Sequence, residues 1–595
     1  MIKMSIESQE KPNFQSRNFH LMILISQSIG LSTASVIPKY AIKCGPLGSA
    51  ICHVLTCVVL GIPLLCMELI IGQFTALNSL EIWKVRPFLS HMGHIVIFWQ
   101  ILILITNHMT CTFVIHYLLL SFENPKPYYT CGPWANRSCG ITVTNFTINQ
   151  DCIRSGPKYG YCEDLYKTFP ETQYYVKIVG SELHQLRMDW RLCLPSAISC
   201  LLIYFSCFKR RYSMQWFLGV LTFYPGFSFV LLMLGSMLQK GILLHYEVAM
   251  DISFEQFYSK FNFIDILPMM IYTMSLGTGL VVNVGASCSF RAPCYSNAII
   301  TMAANIAFHL VIVLTTAMML CPYSFAHAMT PERTANLRLA HIFERIPAML
   351  REYDHNSFWT IITFSSYACL ALRTSIVIYY NLLEVLSKKI SNAAKYPGIV
   401  TFGACVILFL VTMPFLGNML KIFMSRPYRR CIQLVPMLVV VIECFVFIIC
   451  YGLERFCEDV HFMQGFRPSN WMKVSWVVSS ILLLYVCFHE LRDLVCDANS
   501  VEFIVGVSIF GVVALYGVGL AAVNVLVGWC RKQPGATLRL SAAWRPRSEL
   551  LQRSRAMFTA QAMTKEYLYR QYHLQAGILA RQQRANRTRI VNTEI

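Results

Sequence analysis

The chain has 595 residues, and its composition of 55% hydrophobic and only 14% charged residues, with a mean hydropathy of +0.50, excludes an ordinary water-soluble enzyme. A formal net charge of +19 would suit a nucleic-acid partner, but residues 531–595 alone hold thirteen Lys or Arg against three Glu. A basic segment after the last apolar run is typical of a solvated tail near membrane lipid, so no nucleic-acid partner is expected.

Apolar runs of about 20 residues recur along the chain and predict an all-α polytopic membrane protein with about twelve transmembrane helices, called spans one to twelve below. The predicted spans are 19–44, 47–75, 93–122, 190–207, 214–237, 262–288, 295–321, 357–386, 398–417, 431–452, 472–488 and 501–529. Residues 1–18 lack the pattern of a cleaved leader, so they form a cytoplasmic N-terminal segment before a membrane domain over 19–530. In the basic cytoplasmic tail over 531–595, residues 548–585 are typical of an amphipathic helix that contacts either the membrane surface or a cytosolic partner.

Basic residues next to the spans predict that both termini are cytoplasmic, since Lys and Arg accumulate on that side. The run 209–211 follows span four, and Lys388 and Lys389 follow span eight. The loop between spans nine and ten disagrees, because Arg429 and Arg430 would lie outside; either this loop is an exception or a predicted boundary is wrong. We expect a multi-pass protein of the plasma membrane, although the sequence does not exclude an intracellular vesicle.

The loop over 123–189 is the longest polar segment on the predicted outer side. It carries four cysteines, which are Cys131, Cys139, Cys152 and Cys162. An even number of cysteines in an oxidising compartment favours disulfide bonds, although four cysteines allow three pairings. Two glycosylation sequons lie in the same loop, at Asn136 and Asn145, and predict a glycoprotein.

Two predicted spans contain helix-breaking residues at the middle of the bilayer. The sequence SIGLSTASVIPKY at 28–40 interrupts span one, and MSLGTGLVVNVGAS at 274–287 interrupts span six. We expect the breaks near Gly30–Thr33 and Leu276–Thr278, since backbone freed from a helix at that depth must line a cavity. Corresponding breaks in two halves of opposite direction indicate an inverted-repeat transporter with its site at the midplane. The alternative is that Gly and Ser only allow close helix packing.

Four stretches carry a resemblance to a known family: GIPLLCMELIIGQF at 61–74, MSLGTG at 274–279, YGLERFCEDVHFMQG at 451–465 and YYTCGPWANRSC at 128–139. In these stretches the chain resembles the neurotransmitter:sodium symporter family. The resemblance implies that spans one to five and six to ten form two inverted five-helix halves, with spans eleven and twelve added. It also implies a disulfide between Cys131 and Cys139, which leaves Cys152 and Cys162 for a second bond.

The resemblance implies a substrate site between spans one, three and six. Gly30 is retained from the family pattern and leaves room for a substrate carboxylate, so the implied substrate is an amino acid and not a monoamine. The substrate-binding positions that carry over are Gly30, Leu31, Ser32, Ile103, Asn107, Met274 and Leu280. Asn107 replaces a tyrosine whose hydroxyl contacts the substrate carboxylate in the family, and the apolar members are also compatible with a plain core role.

Two sodium sites carry over with changes. The first comprises Ser28, Thr33, Ser275 and Asn305, which still provide oxygen atoms. The second comprises Ser26, Ile29, Leu370, Arg373 and Thr374. Because Arg373 replaces an aspartate, we expect its guanidinium to occupy the second site as a tethered cation bonded to carbonyls near Ser26 and Ile29, with sodium binding lost there. The alternatives are that the hydroxyls only bond helix carbonyls, and that a register error places Arg373 at a span end.

The implied chloride site and gate have also changed. The chloride positions are His53, Ser275, Asn305 and His309, of which the histidines replace a tyrosine and a serine of the family. Two buried histidines either bind an anion when protonated or bond to each other when neutral; the second is favoured, which puts chloride dependence in doubt. The gate arginine of span one is Val36 here, whereas its acidic partner in span ten is retained as Glu443.

The sequence therefore predicts a secondary active transporter for a small-molecule substrate, a neutral amino acid, with sodium coupling partly degenerate. The alternative is a transport-inactive relative that acts as a trafficking partner or regulator in the membrane. An enzyme is not expected, because the loops contain no catalytic triad, metal-ligand spacing, P-loop or dinucleotide fingerprint. A ligand-gated channel is disfavoured because no charged ring or repeated filter segment is visible. The sequence does not predict an oligomeric state.

Overall fold

The computed structural model describes residues 17–137, 139–140, 169–179, 188–208, 211–239, 267–268, 271–326, 341–389, 395–417, 422–423, 425–496, 501–530, 541 and 544–558. Within these ranges, eleven helices are long and apolar enough to cross a membrane, which confirms the prediction of an all-α polytopic membrane protein. The predicted sixth span is not among the eleven, because its helix is interrupted and part of 262–288 lies outside the described residues.

The helices follow the predicted order with shifted ends. The spans comprise Arg17–Ser28 with Leu31–Cys44, Pro46–Thr56 with Ile62–Thr75, Met92–Leu120, Cys193–Cys207, Arg211–Met237, Leu280–Ser287 as the second half of span six, Cys294–Ala326, Asn356–Lys389, Pro397–Thr412, Arg426–Cys444, Asn470–Cys496 and Val501–Cys530. Helices outside the spans are Pro170–Val179, Ile346–Arg351, Leu453–Gln464 and Glu549–Ala556. Short π-helices occur at Cys57–Gly61, His341–Arg345 and Phe445–Cys450, and short 3-10 turns at Ile82–Val85, Pro87–Leu89, Pro127–Tyr129, Trp190–Leu192 and Met413–Phe415.

The spans divide into an inner and an outer set. In spans two and eight 72% of the most apolar window is buried, whereas in span twelve only 11% is buried. The inner spans therefore pack against other helices, and span twelve presents its apolar side chains to lipid. The division into two five-helix halves with spans eleven and twelve added stays a prediction.

Span two and the second half of span six pack with their backbones in contact. A Cβ atom at Gly72 would lie 2.0 Å from the carbonyl oxygen of Val282, and one at Gly285 would lie 2.4 Å from the carbonyl oxygen of Leu69. Only glycine permits such an approach, as at other close helix crossings in membranes. Span six is therefore both interrupted and closely packed through its glycine, so the two predicted roles of its small residues are not exclusive.

The loop over 123–189 is described in part. Cys131 and Cys139 form a disulfide bond, as the resemblance implied. Asn136 is exposed, and its backbone N–H donates to Oε1 of Gln173 at 2.8 Å; its glycosylation stays a prediction. Cys152, Cys162 and Asn145 lie outside the described residues.

The arginines that disagreed with the predicted orientation lie inside the helix Arg426–Cys444, so the predicted boundary at 431 was too late, and Arg430 has acidic partners. Nε of Arg430 lies 3.6 Å from Oε2 of Glu490, and its Nη2 lies 3.7 Å from Oδ2 of Asp493. Both acids are in span eleven, so a neighbouring span offsets the charge of Arg430. This pairing gives a physical reason why basic residues at this position need not follow the charge rule.

Part of the tail packs on the transmembrane body, a contact that neither predicted alternative for 548–585 included. The Trp544 ring stacks on Phe74 of span two with 5.0 Å between ring centroids. Its Nε1 donates to Oδ2 of Asp459 at 3.0 Å, and Nε of Arg555 donates to the other oxygen of Asp459 at 2.7 Å. Asp459 lies in the helix after span ten, so this carboxylate holds residues 544–558 against the body.

Candidate functional site

The interruption of span one lies at Ile29 and Gly30, slightly before the predicted interval. Gly30 has an extended backbone with φ −116° and ψ 179°, and a new helix begins at Leu31. The N–H of Gly30 donates to Oγ1 of Thr33 at 3.3 Å, so Thr33 caps the new helix rather than remaining in the gap. The following N–H groups at the start of this half-helix have no partner within the helix and favour an anion.

The interruption of span six is a turn over 274–279, which includes the predicted interval. Ser275, Gly277 and Gly279 have φ values of 57°, 68° and 75° in the left-handed region, where a helix cannot continue. The N–H of Gly277 donates to Oε1 of Glu68 at 2.7 Å, and Glu68 is completely buried in span two. Sequence reasoning missed this anchor, although a carboxyl group inside an apolar span was the available signal.

Five of the seven predicted substrate-binding residues lie at or beside these two interruptions, and the other two lie in span three. Gly30, Leu31 and Ser32 form the break in span one, Ile103 and Asn107 lie in span three, and Met274 and Leu280 flank the turn of span six. Sδ of Met274 lies 3.0 Å from the position of a Cβ atom at Gly61, so this side chain packs against span two. Ile103 and Leu280 are buried and remain compatible with either a pocket or a core role.

Asn107 is held by span eight. Its Nδ2 donates to the carbonyl oxygen of Ala371 at 2.9 Å and to Oγ of Ser375 at 2.6 Å. Both amide hydrogens are therefore used, and the remaining Oδ1 can only accept hydrogen bonds. Asn107 thus cannot donate to a substrate carboxylate as the tyrosine hydroxyl would.

Three of the four residues of the predicted first sodium site are linked across spans one, six and seven. Nδ2 of Asn305 donates to the carbonyl oxygen of Ser28 at 2.5 Å, and the Ser275 hydroxyl donates to the carbonyl oxygen of Gln27 at 3.0 Å. The fourth residue, Thr33, bonds Gly30 instead. Asn305 thus presents an amide N–H, and not an oxygen atom, to the carbonyl that would ligate sodium.

The two histidines of the predicted chloride site stack on each other. The ring centroids of His53 and His309 are 3.7 Å apart with 9° between the planes. Nε2 of His53 lies 2.6 Å from Oδ1 of Asn305, so the histidine pair adjoins the predicted first sodium site. The rings interact by stacking rather than by the expected hydrogen bond between them.

Arg373 lies near the middle of span eight with 0% of its surface exposed, which does not fit the alternative of a side chain at a span end. Its Nε and Nη2 have no hydrogen-bond partner among the described residues, so these two atoms do not make the expected bonds to carbonyls near Ser26 and Ile29. Ser26 instead shares a hydrogen bond of 3.2 Å with Thr222 of span five. The Thr374 hydroxyl donates to the carbonyl oxygen of Leu370 at 3.1 Å, one helical turn earlier.

Span eight also borders the break in span one. A Cβ atom at Gly30 would lie 3.1 Å from Oγ1 of Thr374, the residue after Arg373. The absent side chain of Gly30 therefore allows the Thr374 hydroxyl of span eight to approach the start of the half-helix closely. This contact adjoins the polar groups of both predicted ion sites.

Glu443 lies at the end of span ten, beside the loop that follows span two. It lines a small cavity together with Trp83, Arg86, Val446 and Phe447. The structure thus places it next to this loop, and its role as a gate stays a prediction. This neighbour could not be predicted, because the contact joins segments far apart along the chain.

A chain of buried amides, missed in the sequence, ties the turn of span six to three other segments. Gln100 donates to the carbonyl oxygen of Thr278 at 2.6 Å and accepts from Nδ2 of Asn381 at 3.0 Å. Asn381 in turn accepts from Nδ2 of Asn283 at 2.8 Å, and Oδ1 of Asn283 accepts from the N–H of Ser79 at 2.6 Å. Spans two, three and eight are therefore joined through side chains that lie in otherwise apolar helices.

Replacing the central amide should destabilise the protein. In Asn381→Leu, Gln100 and Asn283 each lose a buried partner, which should lower the free energy of unfolding by about 2–4 kcal/mol in total. Thermal unfolding of the detergent-purified chain measures the effect. Asn524→Leu is the matched control, because Asn524 in span twelve makes a single bond of 3.3 Å; an equal loss in both variants would contradict the role of the amide chain.

The sequence model of the sodium:neurotransmitter symporter family matches residues 11–518. The human sodium- and chloride-dependent neutral and basic amino acid transporter B(0+) is 21% identical over 517 residues, which cover 81% of this chain and 79% of the relative. The mouse protein of the same name is 21% identical over 511 residues, covering 80% and 79%. With paired helix breaks and a family match over most of its length, the chain belongs to the sodium:neurotransmitter symporter family, whose members are transporters and not enzymes.

Proposed function

We propose that the chain carries neutral amino acids across the plasma membrane, with both termini cytoplasmic, through the gap between the interrupted helices. The observation that carries the proposal is the position of Gly30 at the break in span one. Glycine has no side chain, and a Cβ atom at this position would lie 3.1 Å from Oγ1 of Thr374. The half-helix that begins at Leu31 offers N–H groups to a carboxylate in this space. The amino-acid specificity of the two relatives supports the same substrate class.

The proposal includes altered sodium coupling. A sodium ion needs several converging oxygen atoms, whereas Arg373 brings a permanent positive charge to the second site. At the first site, Asn305 already satisfies the Ser28 carbonyl with its own N–H. These two nitrogen groups support a carrier in which sodium no longer binds at the second site and is held less well at the first.

Uptake of radiolabelled L-leucine into cells that express the chain, with surface delivery measured by biotinylation, tests the proposal. Gly30→Ala places a methyl group in the carboxylate space and should reduce uptake by about tenfold or more. Gly511→Ala is the matched control, because no atom lies within 4 Å of a Cβ at that position. A native chain that reaches the surface but gives no uptake would contradict the carrier and leave the transport-inactive alternative.

Uptake should not depend on chloride. The His53 and His309 rings are in contact, and Nε2 of His53 is bonded to Asn305, so no gap for an anion remains between these groups. Replacing chloride by gluconate should leave L-leucine uptake unchanged. The double variant His53→Tyr with His309→Ser restores the hydroxyls that the family resemblance implies and should gain chloride dependence, whereas a chloride requirement in the native chain would refute the prediction.

A further inference from the structure

Arg373 is a completely buried guanidinium that the described residues do not neutralise. No ion pair involves it among these residues, and its Nε and Nη2 atoms have no hydrogen-bond partner there. Among the described residues, the titratable group that acts on it is the thiol of Cys369, one helical turn earlier. A buried charge without a counter-ion is strongly unfavourable, so the site calls for an anion.

Arg373 is next in sequence to the residue of span eight that borders the proposed substrate space. The next residue, Thr374, borders Gly30 at the break of span one. On another face of the same turn, Ala371 and Ser375 use both amide hydrogens of Asn107. Arg373 therefore lies on a turn of span eight whose other residues contact the break in span one and Asn107 of span three.

The donors available to a substrate carboxylate are few. The N–H of Gly30 is bonded to Thr33, and the amide hydrogens of Asn107 are bonded to span eight. Among the described residues, Nε and Nη2 of Arg373 are charged nitrogen atoms without a partner, and they add to the backbone N–H groups at the start of the half-helix that begins at Leu31. A guanidinium holds a carboxylate through two parallel hydrogen bonds, a geometry that a sodium ion does not provide.

We propose that Arg373 binds the carboxylate of the transported substrate directly, in place of a sodium-bridged contact. The proposal rests on the proposed amino-acid carrier and names the group that recognises its substrate. It requires that every substrate carries a carboxylate, and that an amine of the same shape without this group does not bind. The charge that excludes sodium from the second site thereby acquires a role in substrate recognition.

Equilibrium binding to the purified full-length chain tests the proposal, with L-leucine and its decarboxylated analogue 3-methylbutylamine as probes. The native chain should bind L-leucine and not the amine. Arg373→Met removes the charge at similar length and should weaken L-leucine binding by about tenfold or more. Arg373→Lys keeps the charge without the two-pronged geometry and should be intermediate, and it replaces the Met variant as the test if that variant does not fold. Arg555→Met, in the tail, is the matched control and should bind as the native chain does.

Unchanged L-leucine affinity in Arg373→Met and Arg373→Lys would overturn the proposal. Chloride salts that stabilise the native chain through Arg373, with no further effect of L-leucine, would also overturn it, because the anion would then be inorganic. Failure of the carrier is distinguishable from failure of this contact. L-leucine binding that depends on Arg373 without any uptake supports the contact and contradicts transport, whereas uptake with binding independent of Arg373 does the reverse.

Discussion

Replacing Gly277 by alanine should prevent the protein from reaching its folded form at the cell surface. A Cβ atom at this position would lie 1.9 Å from the carbonyl oxygen of Pro436 and 2.7 Å from its carbonyl carbon, and both are backbone atoms of span ten. The φ of 68° adds strain for any residue with a side chain. We expect a loss of more than about 4 kcal/mol in the free energy of unfolding, a size typical of severe core disruption.

Surface biotinylation and the melting temperature of the solubilised protein measure this effect. Gly511→Ala is the matched control, because Gly511 lies in the span twelve helix with no atom within 4 Å of the added Cβ, and it should leave both quantities unchanged. If Gly277→Ala gave native surface levels and melting temperature, the close approach of spans six and ten would be wrong.

The sequence predicted the helix breaks because a bilayer permits few alternatives. Gly, Ser and Thr grouped in the middle of spans one and six leave backbone groups that water cannot satisfy, so these groups must find partners at a site. The break in span six has the predicted position, whereas that in span one begins at Ile29 because Thr33 caps the new helix from within its first turn. The bond between Gly30 and Thr33 thus determines where the half-helix begins. The pattern of residue types had placed the break in span one too far along the chain.

The partners of polar side chains could not be predicted, because they depend on the rotation of each helix relative to its neighbours. Asn305 was expected to provide an oxygen atom, yet its N–H faces Ser28 while its oxygen faces His53. Trp544 reaches Phe74 although 469 positions separate them in the numbering. Neither contact has a periodic signature in the sequence. Family resemblance indicated candidate positions for the site but not the bonds that the replaced residues make there.

L-leucine binding should become dependent on sodium when Arg373 is replaced by aspartate. In the native chain, replacing sodium chloride by choline chloride should weaken L-leucine binding only slightly, through the first site alone, because at the second site a cation about 4 Å from a permanent guanidinium charge is disfavoured by about 4 kcal/mol at an effective dielectric of 20. That energy corresponds to an affinity roughly a thousandfold weaker for sodium at the second site.

Arg373→Asp restores the carboxylate that the family resemblance implies at this position, next to the Leu370 carbonyl and the Thr374 hydroxyl, so it adds the oxygen donor that sodium requires. The variant also loses the direct donor to the substrate carboxylate, and its L-leucine binding should therefore become dependent on sodium. Arg373→Asn is the matched control, since it removes the positive charge without supplying a carboxylate, and it should bind L-leucine weakly in both salts. A native chain that binds L-leucine only in sodium, with a concentration dependence that requires two cooperative ions, would contradict the assignment. Arg373 has two proposed functions, which are to exclude sodium and to hold the substrate carboxylate, and both are lost when its charge is removed. In Arg373→Asp only sodium, bound by the new carboxylate at position 373, can restore L-leucine binding, so this variant separates the two functions.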